Sequence, residues 1–220
     1  MAGGGSIFTE DHLAVANVNP LLRAADKMPG LEVEWNHPVV NRQGEQLAVV
    51  LPVDDDTTGK KLARWAFALV LSSSAKKDVY DLRVADGSDA TLLNLHQAGS
   101  ILHVRDTAGV DLGGVEARRM HRGLEIAFHA PNPERQRRRW GFGRTFPDPP
   151  LATITTGYGR LDCDVIDVAG APVAHITTDD GSNTLELRFP TSDQLRTLLV
   201  AFTCALVDKY WIRPPQIPKG

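Results

Sequence analysis

The sequence has little cysteine and no apolar stretch of membrane-spanning length. Its 220 residues include 2 cysteines, Cys163 and Cys204, too few for a disulfide framework or a zinc-finger array. The longest apolar run covers residues 195–207, short of the roughly 20 residues that cross a bilayer as a helix. The N-terminus lacks the basic start and apolar core of a signal peptide. We therefore expect a cytoplasmic protein, in a compartment where thiols stay reduced.

The chain also lacks a large excess of charge of either sign. Lysine and arginine number 24 against 27 aspartates and glutamates, a formal net charge of -3. The whole domain is therefore not drawn to nucleic acid or to acidic membranes, and any such partner must meet a local patch. With 42% hydrophobic residues, a chain of this length buries a substantial core, which excludes disorder throughout.

The apolar run near the C-terminus predicts a helix that is enclosed on all sides. Residues 191–194 read Thr-Ser-Asp-Gln, a capping pattern in which Thr191 bonds an amide of the first turn while Gln194 reaches back. We expect a helix over residues 192–211. Its apolar residues leave almost no polar stripe, and a helix that is apolar all round must be buried.

Most of the remaining sequence predicts short β-strands. In residues 124–129 and 184–189, apolar residues alternate with polar ones at the period of two that a half-buried strand needs. Less regular patterns predict further strands at residues 31–35, 47–53, 79–84, 91–96, 101–106, 115–120, 151–155, 161–167 and 173–178. The stretch 61–72 fits both the strand and the helix period, so both interpretations stay open there, with strand favoured.

Three segments share a pattern that predicts hairpin turns. Each begins with Asn or Asp, has Gly three residues later and continues into an apolar run; the first residues are Asn41, Asp106 and Asp167. The first side chain bonds the backbone of the turn, and the glycine takes a left-handed conformation that other residues resist. Recurring hairpins of this kind suit a β-meander.

A closed antiparallel barrel of about twelve strands around the C-terminal helix satisfies both predictions. Closure removes the sheet edges, and the helix fills a lumen too wide for strand side chains alone. The alternative, a β-sandwich with the helix on one face, leaves one side of the helix wet. We expect residues 31–212 to form the barrel, residues 1–30 a partly flexible N-terminal segment and residues 213–220 a tail. Tyr210 and Trp211 are expected to plug the barrel mouth or, alternatively, to act as an interfacial anchor.

The C-terminal part of the chain resembles a known superfamily. In residues 185–211 a strand ending in Phe-Pro leads into an apolar helix with a small-residue Cys turn and an Asp near its end. These features and the hairpin of residues 162–176 resemble phospholipid scramblases and their LURP-one-related and Tubby C-terminal-like relatives. The likeness is specific over residues 161–211 and diffuse over 31–160. It implies a twelve-stranded barrel threaded by its C-terminal helix, and the lipid association of some relatives.

Two scramblase features are missing or altered. Scramblases carry an upstream cluster of palmitoylated cysteines, which this sequence lacks, and an acidic calcium-binding segment between the last strand and the helix. The calcium candidates here are Asp179, Asp180 and Asn183. Calcium needs six or more converging oxygen ligands, and the spacing of these residues is looser than in an EF-hand loop. We therefore favour a polar hairpin turn over a calcium site.

Positive charge is concentrated in one proline-flanked segment, residues 131–150. Five arginines against one glutamate give residues 131–144 a net charge of +4. Arginine suits phosphate geometry, and aromatic side chains suit a membrane interface or stack on bases. We expect an exposed loop whose lipid- or anion-binding candidates are Arg135, Arg137, Arg138, Arg139, Trp140, Phe142 and Arg144. A solvated loop without a partner is the alternative.

Motifs elsewhere do not assemble a recognisable catalytic or metal site. The acidic stretch beginning at Asp54 has Trp65 where an EF-hand needs its bidentate Glu, and it lacks the pattern of a phosphate-binding loop. The seven histidines show no HExxH spacing, so zinc is not expected. We interpret the acidic stretch as an ordinary charged turn.

Two possible catalytic groupings remain in one predicted hairpin. Cys163 and His175 could meet across it as nucleophile and base, although Cys163 shares its strand face with apolar residues, as an inert small hydrophobe does. Asp162 and Asp164 would share one strand face, as general acid and base work requires, but the sequence offers no partner for them.

The leading hypothesis is a non-catalytic barrel that acts as a binding or scaffold module, with peripheral affinity for anionic phospholipid through residues 135–144. A nucleic-acid-associated protein that uses the same segment is the second hypothesis. An enzyme with its site at a barrel mouth is the third. No cofactor is expected.

Overall fold

A computed structural model of the chain describes most of the predicted strands and the helix. The described residues are 6–16, 36–53, 79–98, 100–121, 123–132, 149–157, 161–179 and 181–208. The predicted strand 31–35, the ambiguous stretch 61–72, the tail 213–220 and the pair Tyr210 and Trp211 lie outside them.

Twelve strands and one helix make up the described secondary structure. The strands are β1 His12–Ala16, β2 His37–Val40, β3 Gln46–Pro52, β4 Val79–Asp86, β5 Thr91–Ala98, β6 Ile101–Arg105, β7 Asp111–Met120, β8 Gly123–His129, β9 Ala152–Thr156, β10 Asp162–Asp167, β11 Pro172–Thr178 and β12 Ser182–Leu187. The helix α1 covers Asp193–Ala205, and a 3-10 turn, Leu206–Asp208, follows it.

The sheet is a closed antiparallel barrel, as predicted. Each strand pairs with its neighbours in chain order, and β1 closes the ring on β12, with His12 opposite Glu186 and Ala16 opposite Ser182. Closure satisfies the backbone groups that an open sheet would expose at its two edges. The strands β1 and β2 were not predicted, and β1 belongs to the barrel although it lies within residues 1–30, which were expected to form a separate segment.

The two unpredicted strands are short and carry weak strand signals. β1 has only two large apolar residues, Leu13 and Val15, both buried and separated by alanine. β2 has four residues and contains Pro38, which argues against a strand because proline lacks an amide donor. β1 pairs with β2 at Val39 and Val40, so Pro38 lies outside that ladder, and it stands opposite Val49 in the ladder with β3.

The helix α1 occupies the barrel lumen. Leu198, Leu199, Ala201 and Phe202 are all 0% exposed. The helix contacts β12 and β1 on one side and β5 to β8 on the opposite side of the ring, so it lies between facing walls. The ring of Phe202 meets that of Phe128 from β8 edge-on, with centroids 5.5 Å apart, a favoured aromatic geometry. The predicted enclosed helix is confirmed.

The helix begins one residue later than its capping pattern predicted. Ser192, and not Thr191, is the N-cap, because its Oγ accepts a hydrogen bond from the Leu195 amide at 3.2 Å. Gln194 does not close a capping box; its side-chain amide lies 3.5 Å from the carbonyl oxygen of Leu112. The α-helix ends at Ala205, before the predicted limit at residue 211.

Four hairpin turns share one backbone geometry. In the turn 167–171, the Asp167 carboxylate accepts hydrogen bonds from the amides of Ala169 and Ala171, both at 2.9 Å, and Gly170 has a φ of 83°. The predicted turns that begin at Asn41 and Asp106 repeat this arrangement. A fourth turn, 86–90, was not predicted because Asp89, with a φ of 64°, stands where the others have glycine.

All four turns lie at one end of the barrel. In an antiparallel meander the chain reverses at alternate ends, so every connection from an even-numbered strand to the next odd-numbered one lies at the same end. We call this end, with the turns 41–45, 86–90, 106–110 and 167–171, the turn end. β12 also finishes there, so α1 enters the barrel from the turn end.

A charge placed inside the barrel tests the enclosed helix. We expect Leu199→Asp to lower the free energy of unfolding by several kcal/mol, because position 199 is fully buried and offers a carboxylate no partner. Met120→Asp, at a strand position that is 50% exposed, is the control and should cost less than about 1 kcal/mol. Chemical denaturation of both variants measures the difference, and equal stabilities would contradict enclosure.

The left-handed turn glycines give a second test. Gly170→Ala should destabilise the fold by about 1–2 kcal/mol, because a side chain resists a φ of 83°. Gly87→Ala is the matched control, since Gly87 lies in an equivalent turn without a positive φ, and a methyl group added there meets no atom within 4 Å. Thermal unfolding of the two variants should show a lower melting temperature only for Gly170→Ala.

Candidate functional site

The filled lumen directs the search for a site to the barrel surface. Apolar side chains of α1 occupy the interior where a ligand-binding barrel would hold a small molecule. Within the described residues, no helix has the length and apolar character needed to cross a membrane. The remaining candidate surfaces are the two ends of the barrel and its outer wall.

The basic segment is anchored at the turn end. β8 finishes there at His129, the described chain continues to Asn132, and it is described again from Pro149 into β9. The Leu151 amide donates a hydrogen bond to the Phe128 carbonyl at 2.7 Å, so the two attachment points are held together. The candidate binding residues Arg135, Arg137, Arg138, Arg139, Trp140, Phe142 and Arg144 lie outside the described residues.

Exposed apolar side chains surround this anchorage. Val110, in the turn between β6 and β7, is 52% exposed, and Val168, in the turn between β10 and β11, is 70% exposed. Phe189 follows β12 and is 55% exposed; the predicted strand 184–189 in fact ends at Leu187. Around the ring, the β8 to β9 connection lies between the two valine-bearing turns.

The other side of the turn end is polar. The turn 41–45 carries Arg42 and Glu45, and the turn 86–90 carries Asp86 and Asp89. Hydrogen bonds from Ser88 and from the Ala90 amide lower the pKa of the Asp86 carboxyl, which keeps it ionised. Asp89 forms an ion pair with Arg83 at 2.8 Å. The two turns on either side of the connection from β8 to β9 thus expose valines, whereas the two turns farther from it carry charged side chains.

A second candidate lies on the outer wall, where His175 is held between two carboxylates. Its Nδ1 lies 2.7 Å from Asp164 Oδ1, and its Nε2 lies 3.1 Å from Asp162 Oδ1. Arg188 adds an ion pair to Asp164 at 2.9 Å. The sequence predicted that Asp162 and Asp164 share a face; strand pairing supplies the partner, since Asp164 stands directly opposite His175 in the ladder.

This network is arranged for structure more than for catalysis. The hydrogen bond from His175, with the neighbouring charge of Arg188, lowers the pKa of the Asp164 carboxyl. Both ring nitrogens of His175 already face carboxylates, so neither is left to take a proton from a substrate. The network also lies on the outer wall and not at a barrel mouth, where the enzyme hypothesis expected a site.

The two thiols do not form a nucleophilic site. Cys163 points to the core side of β10, away from the outward-facing His175, so the predicted possibility that they meet is wrong. Burial raises the pKa of the Cys163 thiol and raises that of Cys204, inside the barrel, to about 12. A thiol with a raised pKa holds little thiolate at neutral pH.

The calcium candidates lie in and beside the turn between β11 and β12. Asp179 accepts hydrogen bonds from the amides of Gly181 and Ser182 at 2.7 and 2.6 Å, as in a polar hairpin turn. Asn183 is fully buried on β12, and Asp180 lies outside the described residues. Over the part of the chain that the structure describes, no group of three or more His, Cys, Asp or Glu side chains could hold a metal ion.

The outer wall also carries a row of one aspartate and two histidines that was not predicted from the sequence. Asp81, His96 and His103 stand in register across β4, β5 and β6. His96 Nδ1 lies 2.5 Å from Asp81 Oδ1, and the two imidazole rings stack with centroids 6.3 Å apart. Sequence alternation shows which residues face outward, but only strand register shows which of them meet.

Comparisons with known proteins give a likeness in structure only. The sequence matches no protein-family model and no curated protein. Among solved structures, the chain is similar to the X-ray structure of a protein from Arabidopsis thaliana, with 12% sequence identity and a TM-score of 0.45 over 94% of this chain and 98% of that one. The barrel assignment rests on the strand pairing of this chain itself.

The His175 network predicts a specific response to acid. The ionised Asp164 stabilises the folded chain, because its pKa there lies below the ordinary value of 3.8. That stabilisation is present above this value and is lost as the pH falls through the folded-state pKa. We expect Asp164→Asn to be less stable than the parent at pH 7, and we expect the difference in the free energy of unfolding to shrink as the pH falls below 3.8. Urea denaturation of both proteins, repeated from pH 7 down to below this value, measures the difference.

A double-mutant cycle provides the control for this prediction. In a His175→Gln background the effect of Asp164→Asn at pH 7 should be smaller, since the largest cause of the lowered pKa has been removed. An effect of Asp164→Asn that is the same at pH 7 and in acid, or the same in both backgrounds, would show that the pair does not act as described.

Proposed function

We propose that this protein is a non-catalytic barrel module that associates peripherally with anionic phospholipid surfaces through residues 135–144. The observation that carries the proposal is the concentration of charge, +4 over residues 131–144 in a chain of net charge -3. Near an anionic membrane each basic residue contributes about 1 kcal/mol. Five arginines are therefore sufficient for weak, salt-sensitive binding.

The fold supports this proposal in two ways. The lumen is filled by α1, which leaves surfaces, and not an interior pocket, for recognition. The attachment points of the basic segment lie next to each other at the turn end, on a closed barrel of paired strands. Binding residues are commonly carried by loops on such scaffolds.

The resemblance of residues 161–211 to phospholipid scramblases and their LURP-one-related and Tubby C-terminal-like relatives supports a lipid partner over other anions. Nucleic acid is the second candidate, because arginine binds phosphates in both partners and Trp140 and Phe142 could stack on bases. Lipid is preferred, because that resemblance also implies a lipid partner and implies no nucleic acid.

Cosedimentation with liposomes tests the proposal. We expect the protein to bind vesicles of phosphatidylcholine with phosphatidylserine, not phosphatidylcholine alone, and to dissociate as salt shortens the range of the attraction. Replacing the five arginines of residues 135–144 by glutamine should weaken binding by more than about tenfold. Arg118→Gln, at an exposed position of the opposite barrel end, is the control and should leave binding unchanged.

Two results would overturn the lipid assignment. One is binding that ignores both lipid charge and salt, which would exclude an electrostatic contact. The other is single-stranded nucleic acid that displaces the protein from the vesicles at equal phosphate concentration and binds more tightly, which would favour the second candidate.

A further inference from the structure

The four turns of the turn end provide an internal comparison. They share the same side-chain cap, whose carboxylate or amide oxygen accepts two backbone amides, and the same left-handed fourth residue. Their backbone geometry therefore leaves the remaining positions free of conformational demands. Side chains at those positions can therefore differ from turn to turn without a change in backbone geometry.

The four turns nevertheless differ in charge around the rim. In the turn 41–45 the free positions hold Arg42 and Glu45, and the turn 86–90 carries Asp89 as its left-handed fourth residue. In the turns 106–110 and 167–171 the free positions hold no charged residue, and Val110 and Val168 are 52% and 70% exposed. The apolar turns are the two that flank the connection from β8 to β9, which carries the basic segment.

Phe189 extends the apolar side. It leaves β12 beside β11, where its amide lies 3.4 Å from the Val173 carbonyl, and it is 55% exposed. Phe189 therefore lies next to the turn 167–171 that carries Val168, since β11 begins where that turn ends. A large aromatic side chain that is half-exposed at a rim gains little from interior contacts, and burial in an interface would remove its apolar surface from water.

We propose that the turn end docks on the membrane tilted, with Val110, Val168 and Phe189 entering the boundary between headgroups and acyl chains. This inference rests on the proposed function, because the connection whose sequence carries the arginines leaves and re-enters the barrel at the same end. Peripheral proteins commonly join a few inserted apolar side chains to basic residues that hold the anionic headgroups. The charged turns 41–45 and 86–90 would then face away from the bilayer.

The carboxylates of the apolar turns are compatible with this orientation. Asp106 and Asp167 are the charged residues of those two turns, and each points its carboxylate into two backbone amides. The amide dipoles offset part of the negative charge that the membrane would meet. The five arginines of residues 135–144 also outnumber these two carboxylates.

The experiment compares two sets of exposed apolar residues on the full chain. The test variant is Val110→Ser, Val168→Ser and Phe189→Ser; the matched control is Val53→Ser and Met120→Ser, at positions 43% and 50% exposed at the opposite end. Cosedimentation with phosphatidylserine-containing vesicles is the assay. We expect about a tenfold loss of affinity in the test variant and no change in the control. All these side chains are exposed, and unchanged melting temperatures confirm folding.

The outcomes separate this inference from the proposed function. Loss of binding in both the arginine variant and the test variant, but not in the control, supports both. A test variant that binds like the parent, while the arginine variant does not, overturns tilted insertion and leaves the electrostatic proposal intact. Equal losses in test and control variants also overturn it, and a parent that binds no vesicles overturns the proposed function itself.

An environment-sensitive fluorophore gives a second readout that does not depend on affinity. It is attached to the new thiol of Val168→Cys or, as the control, of Ser88→Cys in the turn 86–90, each in a Cys163→Ala background. On addition of vesicles, emission should shift to the blue for the label at 168 and stay unchanged for the label at 88. A shift at both sites, or at 88 alone, would contradict the tilt.

Discussion

The structure depends on mutual burial between one apolar helix and the sheet that surrounds it. From Leu198 to Ala205 every residue of α1 is buried, so this part of the helix is stable only where protein covers it on every side. A twelve-strand barrel has a lumen too wide for its own side chains to fill. Phe202 of the helix is fully buried, and its ring meets that of Phe128 from the barrel wall edge-on. The helix thus fills the lumen, and the wall keeps the helix out of water.

This arrangement determines where function can be located. Within the described residues, α1 fills the barrel interior, and the closed sheet has no edge to which a peptide strand could be added. The connections between strands and the outer wall are therefore the surfaces on which a binding site is sought. Among these, the turn end combines a rigid set of capped turns, exposed apolar side chains and the anchorage of the most basic segment of the chain.

Much of the fold follows from local sequence patterns, because the two periods and the turn residues are local signals. The apolar run of α1 and the alternation in strands such as β8 predicted the enclosed helix and the barrel. The strands β1 and β2 were not predicted, because short segments that contain alanine or proline form strands only when neighbouring strands pair with them. The turn 86–90 was not predicted, because Asp89 adopts the left-handed backbone conformation that glycine usually takes.

The candidate sites were less accessible from sequence, because contacts across strands depend on register. Alternation placed Asp162 and Asp164 on one face, and the predicted hairpin brought His175 near Cys163. The register shift between Val165 and Ile166, which puts Asp164 opposite His175, was not predicted, and neither was the ion pair from Arg188. Val110, Val168 and Phe189 were not predicted as a group for a similar reason. They are far apart in sequence, and only the closed ring brings them to one end of the barrel.

Hydrogen exchange of the α1 amides measures the enclosure of the helix most directly. If the barrel surrounds the helix, the amides of residues 198–205 exchange only through global unfolding, and their protection matches the full free energy of unfolding. The amides of Gly87, Thr107 and Val168, at the second position of three exposed turns, provide the reference. Exchange of the helix amides at rates near those of these turn amides, under conditions where the strands stay protected, would contradict the central claim that the helix lies inside the barrel.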